Sequence, residues 1–259
     1  MSRPLAAITG ASSGIGAVFA RRLAVDHDLL LIARRQDRLE KLGGELARDF
    51  GAAVETLEAD LATDAGIARV VKRISGEDRL VLLINNAGFG TRGLFWEAPL
   101  EEQERMHTLH VMATMRLCHA ALRGMTARNR GALVNVASVA AFVRRSGAAS
   151  YGATKSWMAV FTEALFLELR GIKSEVVVQA LCPGYTYSEF HDTMQVSRKT
   201  MASPRYWLTA ERVVDASLKG LRKRKLFVIP GWHYRLIVAL ITKLPSSLRL
   251  AIESRVSRR

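Results

Sequence analysis

Short apolar runs alternate with longer amphipathic stretches along most of the chain. The short runs are rich in Val, Ile and Leu and alternate little between apolar and polar residues, which is typical of strands buried on both faces of a parallel sheet. These predicted strands are residues 5–10, 28–33, 53–59, 79–86, 131–138, 175–182 and 225–230. Helical spacing between them predicts helices over Ile15–Asp26, Asp37–Asp49, Asp64–Ser75, Leu100–Ala127, Tyr151–Arg170 and Ala210–Arg224. Repeated β–α alternation indicates an α/β fold with a doubly wound parallel sheet, in a single domain over residues 1–259.

One predicted helix, Tyr151–Arg170, is apolar nearly all the way round, and Trp157, Phe161 and Leu165 are among its apolar residues. A helix of this kind needs burial on both sides. The sheet can cover one side only. We therefore expect a partner subunit to cover the other side, in a homodimer or homotetramer.

Composition places the chain among ordinary globular proteins of the cytoplasm. Apolar residues make up 49% of the sequence, which is enough for a substantial core. Cys118 and Cys182 are the only cysteines, so no disulfide framework is expected, and no metal site is predicted. The apolar start of the chain is interrupted at Gly10, which is too early for a signal peptide, and no apolar run is long enough to span a membrane.

A glycine-rich segment, TGASSGIG at Thr9–Gly16, follows the first predicted strand and opens the first predicted helix. Gly10 permits a tight turn, Gly14 lets the backbone approach a pyrophosphate, and Gly16 permits close packing of helix against strand. A phosphate would then lie at the positive end of the helix. The segment predicts a dinucleotide site that also involves Ser12, Ser13 and Ile15, although glycines at such a place can also form only a turn.

The end of the second predicted strand indicates which dinucleotide is bound. NAD sites usually place a carboxylate there for the ribose 2′-hydroxyl, whereas arginine accommodates the 2′-phosphate of NADP. This chain has Arg34 and Arg35, with no acid before Asp37. A guanidinium group matches phosphate in geometry and charge, so NADP(H) is the predicted cofactor. The alternative is a pair of arginines at a solvated helix start.

Five motifs occur in an order and spacing that resemble the short-chain dehydrogenase/reductase family. They are TGASSGIG, NNAG at Asn85–Gly88, Ser138 after a strand, YGATK at Tyr151–Lys155, and the dipeptide Pro183–Gly184. The resemblance covers about residues 5–190 and implies a Rossmann-type fold that transfers a hydride between a nicotinamide and a carbonyl carbon. It identifies Tyr151 as the general acid/base, Lys155 as the cation that lowers the pKa of the phenol, and Ser138 as the group that orients the substrate oxygen.

The same resemblance assigns further cofactor contacts. It implies that Asp60, followed by Leu61, meets the adenine amino group. It also implies that backbone groups of Asn86, Ala87 and Gly88 line the cofactor. The residues expected to hold the carboxamide end of the nicotinamide are Pro183, Gly184, Thr186 and Ser188, with Tyr151 and Lys155 contacting the cofactor as well.

One position departs from the family pattern. The family usually has an asparagine in the long helix before Ser138, where it supports a water relay to the lysine. Here that place falls on His110. Imidazole can also donate and accept hydrogen bonds, so a modified relay is expected, with an inactive relay as the alternative.

The implied activity is NADPH-dependent reduction of a hydrophobic ketone or aldehyde, 3-oxoacyl-like or steroid-like. A non-catalytic dinucleotide sensor or scaffold on the same fold is the alternative. We expect residues 186–208 to form a substrate lid. The residues expected to surround or cover the substrate pocket are Phe142, Tyr185, Tyr187, Phe190, Met194 and Trp207.

The net charge of +14 is concentrated near the C-terminus, since residues 191–259 hold 15 Lys or Arg and 4 Asp or Glu. Residues 231–259 read as a basic helical extension of two short helices separated by Pro245. The favoured interpretation is an apolar face that packs beside the substrate pocket or a neighbouring subunit. Peripheral contact with an anionic membrane and attraction of an acidic acyl carrier or CoA phosphate are the alternatives. Nucleic acid is not expected, because charge alone supports it.

Overall fold

The computed structural model describes residues 3–91, 93–189 and 203–257. Seven strands form one sheet with the order β3-β2-β1-β4-β5-β6-β7, and every neighbouring pair is parallel. The strands are β1 Leu5–Thr9, β2 Asp28–Ala33, β3 Val54–Glu58, β4 Leu80–Asn85, β5 Ala132–Val136, β6 Val177–Leu181 and β7 Phe227–Val228. The doubly wound, Rossmann-type sheet predicted from the sequence is therefore confirmed. The strand order reverses between β1 and β4, which is where such sheets bind their ligands.

Nine α-helices connect or follow the strands among the described residues. They are α1 Gly14–Leu23, α2 Gln36–Phe50, α3 Asp64–Ile74, α4 Leu100–His107, α5 Thr114–Ala127, α6 Ala149–Gly171, α7 Ala210–Arg222, α8 Trp232–Ile241 and α9 Ser246–Ser257. The predicted helix Leu100–Ala127 keeps its outer bounds but contains a π-helical segment over Thr108–Ala113. Such wider turns are frequent at functional sites, and this one carries His110.

Successive strand residues feed two separate cores, because side chains alternate across a sheet. On β1, Ala6 and Ile8 join the core that α1, α2 and α7 cover, whereas Leu5 and Ala7 join the core that α3, α5 and α6 cover. Every residue of β1 and β2 is buried. This explains why the runs show no alternation in sequence: both faces of the central strands are covered.

The C-terminal extension forms two helices, α8 and α9, and Pro245 lies between them as expected. Tyr234 and Val238 of α8 pack into the core beneath α7. Within the described segments, none of the helices has both the length and the apolar character needed to cross a bilayer.

Candidate active site

A cavity of about 1080 Å³ lies at the carboxyl ends of the strands and gathers nearly all of the predicted site residues. Those in its wall are Gly10, Ser12, Ser13, Gly14, Ile15, Arg34, Arg35, Asp60, Leu61, Asn86, Ala87, Gly88, Ser138, Tyr151, Lys155, Pro183, Gly184, Thr186 and Ser188. Gly16 and His110 lie behind this wall rather than in it. The register of the sheet produces this arrangement, since Thr9, Ala33 and Asn85 end adjacent strands at one edge.

The three glycine positions of the glycine loop leave no room for a side chain. Gly10 and Gly14 have φ values of 66° and 53°, which favour glycine. A Cβ atom on Gly16 would lie 2.2 Å from the carbonyl oxygen of Gly10, and the Asn86 amide donates to that same oxygen at 3.2 Å. The bare backbone at the start of α1 can therefore approach a pyrophosphate, which fits the dinucleotide site predicted from the sequence.

Arg35 lies over the glycine loop. Its guanidinium donates to the hydroxyl oxygens of Ser12 at 3.0 Å and Ser13 at 3.1 Å. Glu189, which no sequence motif had indicated, pairs with Arg35 at 2.9 Å and with Arg38 at 2.6 Å. Arg34 and Arg35 line the cavity together with Glu189, and Arg38 pairs with the Glu189 carboxylate from outside the wall, so this corner carries a net positive charge. Such a corner suits a phosphate monoester.

Asp60 has a partner that sequence spacing could not suggest. One carboxylate oxygen accepts from the backbone N–H of Ala62 at 3.0 Å, and the other accepts from the Arg105 guanidinium at 3.0 Å. Arg105 comes from α4, 45 residues further along the chain. The pair fixes the Asp60 carboxylate in the cavity wall beside the buried Leu61.

Ser138 and Tyr151 form a hydrogen-bonded pair in the cavity wall. The Ser138 hydroxyl oxygen also accepts from the backbone N–H of Ala140 at 3.1 Å, which holds its side chain in place after β5. Burial raises the pKa of Tyr151 to about 12, and the hydrogen bond with Ser138 acts in the opposite direction. The phenol is therefore protonated at neutral pH in this structure.

Lys155 is buried one helical turn after Tyr151. Its ammonium donates to the carbonyl oxygen of Val136 at 2.8 Å and lies 5.9 Å from the centre of the Tyr151 ring. Burial lowers the pKa of Lys155 to about 7. The family resemblance implied a lysine that lowers the tyrosine pKa, but burial, which disfavours both charged forms, is the larger influence on each residue here.

His110 packs behind the cavity wall and is completely buried. Its Nδ1 lies 2.9 Å from the Thr154 hydroxyl oxygen, and that hydroxyl donates to the carbonyl oxygen of Tyr151 at 2.9 Å. Since the Thr154 hydroxyl donates its proton to Tyr151, it can only accept from His110. Nδ1 therefore carries the imidazole hydrogen, and Nε2 is left as an acceptor. No group in the described part of the chain hydrogen-bonds Nε2. Burial, followed by the charge of Lys155, holds the pKa of His110 well below its ordinary value, so the ring is neutral.

Gly88 separates His110 from the cavity. A Cβ atom there would lie 2.8 Å from Nε2 of His110 and 3.7 Å from Nζ of Lys155. The absence of a side chain at Gly88 therefore keeps these two nitrogen atoms on either side of one small space. Thr154, which fixes the imidazole, was not identified from the sequence, because it lies inside the YGATK motif without a distinguishing pattern of its own.

The turn after β6 is held by the C-terminal extension. A Cβ atom on Gly184 would fall 2.0 Å from the ring of Tyr234, so only glycine fits against that ring. The Tyr234 hydroxyl accepts from the backbone N–H of Tyr185 at 3.0 Å and donates to the carbonyl oxygen of Tyr206 at 2.7 Å. Tyr234 was not singled out from the sequence, because no local pattern distinguishes it from the other residues of α8.

The predicted aromatic lining is wrong in part. Tyr185 lines the cavity, but Phe142, Tyr187 and Trp207 do not. Trp207 is buried and stacks on the rings of Tyr185 and Tyr187 at 5.4 Å and 5.0 Å, so the aromatic residues cover one another. Phe142 packs edge-on against Phe227.

The apolar lining away from the glycine loop is instead largely aliphatic and includes Val143, Tyr206, Ile237, Ile241 and Ile252. The charged residues Arg144, Arg145 and Glu253 line the same cavity. Phe190, Met194 and most of the expected lid 186–208 lie outside the described residues.

Cys118 and Cys182 are both buried and free. Burial raises the pKa of Cys182, and that of Cys118, to about 12. A thiol with such a pKa is a poor nucleophile at neutral pH. Cys182 therefore fits its predicted role as a packing residue beside the turn at Pro183.

Comparison with known proteins agrees with this geometry. The sequence model of the short chain dehydrogenase family matches residues 4–199. The chain is 36% identical over 229 residues to the 1,6-dihydroxycyclohexa-2,4-diene-1-carboxylate dehydrogenase of Pseudomonas putida, and the match covers 85% of this chain and 80% of that protein.

Two solved structures are also similar. One is a short-chain dehydrogenase from Sphingobium yanoikuyae in complex with NADPH, with a TM-score of 0.84, 36% identity, and coverage of 94% of this chain and 97% of that one. The other is the bulky-bulky ketone specific alcohol dehydrogenase from Comamonas testosteroni, with a TM-score of 0.80, 30% identity, and coverage of 95% and 96%.

Proposed function

The chain belongs to the short-chain dehydrogenase family of oxidoreductases, and from this premise we propose that it reduces a bulky hydrophobic ketone or aldehyde to an alcohol with NADPH. The observation that carries the proposal is the meeting of Ser138, Tyr151 and Lys155 in a single cavity with the glycine loop. A dinucleotide sensor without catalysis would not require a buried lysine beside a buried tyrosine. Each of these groups costs stability when it is desolvated.

The cofactor site fits a phosphorylated dinucleotide. The glycine loop would hold the pyrophosphate at the start of α1. Arg34 and Arg35 would hold the 2′-phosphate, and Lys155 with the turn at Gly184 would hold the nicotinamide end. The similar Sphingobium yanoikuyae enzyme was solved with NADPH, which supports the choice of cofactor. When bound, the nicotinamide supplies the hydride that reduces the carbonyl carbon.

The residues of this chain handle the proton and the charge. As the carbonyl carbon accepts the hydride, negative charge develops on the oxygen, and Tyr151 transfers its phenolic proton to that oxygen. Ser138 donates a hydrogen bond to the same oxygen and orients it. Lys155 stabilises the phenolate that Tyr151 becomes. A phenol with a pKa of about 12 begins protonated at neutral pH, so Tyr151 can serve as the proton donor.

The wall beyond Tyr151 supports a large apolar substrate. Val143, Ile237, Ile241 and Ile252 give it an apolar contact surface, with Arg144, Arg145 and Glu253 also in the cavity wall, and the cavity of about 1080 Å³ has room for more than a cofactor. The similarity to a bulky-bulky ketone specific alcohol dehydrogenase points to the same substrate class, with steroid-like and 3-oxoacyl-like carbonyls as the candidates.

The proposal is tested by following NADPH oxidation with a panel of carbonyls. The panel contains steroid ketones, 3-oxoacyl thioesters, diaryl ketones and small ketones such as acetone. We expect turnover with at least one bulky member and much slower turnover with acetone. Activity restricted to acetone-sized ketones would contradict the substrate class. Tight NADPH binding with no turnover across the panel would favour the sensor.

A further inference from the structure

Helix α8 exposes apolar side chains on the side that faces away from the core. Trp232, Leu236 and Leu240 recur every four residues and are 66%, 50% and 58% exposed. On α9, Leu248 and Ile252 are likewise four residues apart and are 49% and 39% exposed. We call these five residues the C-terminal apolar face. The opposite side of α8 packs into the core, so its exposed leucines and Trp232 form a second apolar side that requires a cover the described chain does not supply.

Within the C-terminal extension, the charged side chains that are exposed beside this face are basic. Arg235 and Lys243 are exposed beside it. The single acid of residues 231–259 is Glu253, which is buried and accepts a hydrogen bond from the backbone N–H of Arg144 at 2.8 Å. Among the described side chains of α8 and α9, the charge presented to solvent is therefore entirely positive.

This charge distribution favours an anionic lipid surface over a second copy of the chain as the cover of the C-terminal apolar face. In a two-fold symmetric dimer through this face, each copy would present its Arg235 and Lys243 to a partner surface of the same sign, with no exposed acid of α8 or α9 to pair with them. An anionic bilayer can bury the leucines in its hydrocarbon region, and its charged headgroups can pair with the basic residues. Trp232 suits the boundary between headgroups and acyl chains. We propose that the C-terminal apolar face docks on the surface of an anionic bilayer.

The position of the face connects docking to the cavity. Ile237 and Ile241 on the inner side of α8 line the cavity, whereas Leu236 and Leu240 are exposed on its outer side. Ile252 belongs to both the cavity wall and the C-terminal apolar face, since it lines the cavity and is 39% exposed. The cavity thus has a wall in common with the docking face. If the proposed function holds, an apolar ketone dissolved in the bilayer reaches Tyr151 past α8 and α9 without crossing bulk water.

The test is sedimentation of the full chain with vesicles, which requires no catalytic turnover. One set of vesicles is phosphatidylcholine alone and the other is equal parts phosphatidylcholine and phosphatidylglycerol, each at low and at physiological salt. We expect pelleting with the anionic vesicles, weaker at the higher salt, and little with the neutral ones. The double variant Arg235→Gln/Lys243→Gln should weaken binding at least about tenfold. Leu236→Ser/Leu240→Ser should weaken it comparably, because both leucines lose their burial in lipid.

Matched variants keep the outcome interpretable. Lys41→Gln/Lys72→Gln removes the same charge from exposed sites on α2 and α3, and Val25→Ser/Ile172→Ser removes two equally exposed aliphatic side chains elsewhere. Both should bind vesicles like the wild type. All four variants should reduce a water-soluble ketone at the wild-type rate in buffer without vesicles, which separates this proposal from the proposed function.

Two results would overturn the proposal. Equal pelleting of the leucine variant and the wild type would mean that the charge acts alone, as it would with any polyanion. Loss of self-association in the leucine variant, measured by light scattering, together with no vesicle binding by the wild type, would assign the face to a second copy of the chain.

Discussion

The imidazole of His110 is fixed by Thr154, whose hydroxyl oxygen lies 2.9 Å from Nδ1 and whose proton is given to the carbonyl oxygen of Tyr151. This contact leaves Nε2 as a buried acceptor on the side of Lys155. The Nδ1 side ends at a backbone carbonyl, so the histidine cannot pass a proton onward in that direction. We infer that His110 presents a neutral acceptor on the side of Lys155 and that a proton relay does not run through its ring.

Substitutions at His110 test whether this buried acceptor matters for catalysis. Asparagine also offers an acceptor, so His110→Asn should keep or raise kcat. His110→Leu removes the acceptor, and its kcat should fall roughly tenfold or more with little change in the Kd of NADPH. In the leucine variant, the pH profile of kcat should also shift, because the polar acceptor beside Lys155 is replaced by an apolar group. Complete loss of activity in His110→Asn would instead mean that the imidazole has a dedicated role.

Removing the buried amine should stabilise the protein and abolish its activity. The pKa of Lys155 is about 7 in the folded chain against 10.5 for an ordinary lysine. Between these values the unfolded chain binds more protons than the folded one, so wild-type stability rises with pH across that window. Lys155→Met should therefore raise the free energy of unfolding by about 1–3 kcal/mol at pH 7 without cofactor.

The pH dependence supplies the control for this variant. The advantage of Lys155→Met should be largest at and below pH 7 and should shrink as the pH rises toward 10. Denaturant unfolding at several pH values measures it. An advantage that is constant with pH, or a destabilised variant, would show that burial does not lower the lysine pKa in the folded protein.

Cofactor preference follows from the arginines beside the glycine loop. NADPH should bind at least about tenfold more tightly than NADH, a difference of about 1.4 kcal/mol. Arg34→Gln/Arg35→Gln should remove most of this preference, because both guanidinium groups line the cavity. Arg38→Gln is the matched control, since Arg38 contacts the same Glu189 carboxylate from outside the cavity wall. Fluorescence titration decides the point, and equal affinities of the wild type for the two cofactors would refute the assignment.

The exposed apolar side of helix α6 predicts that the protein forms an oligomer. Val160 and Leu167 are 64% and 61% exposed on the side that the sheet does not cover, and Trp157 stacks on Phe161 at 4.6 Å beside them. A homodimer or homotetramer that buries this side would account for its composition. Light scattering at micromolar concentration should report more than one subunit, and Val160→Lys/Leu167→Lys should shift the mass toward the monomer. A wild-type monomer would contradict the prediction.

The sheet and most of the cavity wall could be predicted because they depend on local patterns. Runs such as Asp28–Ala33 lack alternation since both faces are covered, and the Tyr151–Lys155 spacing puts two functional groups one turn apart. The same reasoning found Arg35 at the end of a strand. Each of these features needs only short stretches of sequence.

The remaining features depend on contacts between distant segments. Arg105 reaches Asp60 across 45 residues, Glu189 reaches Arg38 across 151, and the Tyr234 hydroxyl reaches the backbone of Tyr185 across 49. No periodicity encodes these contacts. The aromatic lining was predicted wrongly for a related reason: Trp207 is satisfied by stacking on other rings, which sequence position cannot indicate.

The central claim is that Tyr151 gives its phenolic proton to a carbonyl oxygen in this cavity, and Tyr151→Phe tests it most directly. The change removes one hydroxyl group and leaves the ring to pack as before. With the best ketone from the panel, NADPH oxidation by the variant should fall by at least about 100-fold, while the Kd of NADPH stays close to that of the wild type. Ketone reduction by Tyr151→Phe at a near wild-type rate would contradict the account, because the proton would then come from another group.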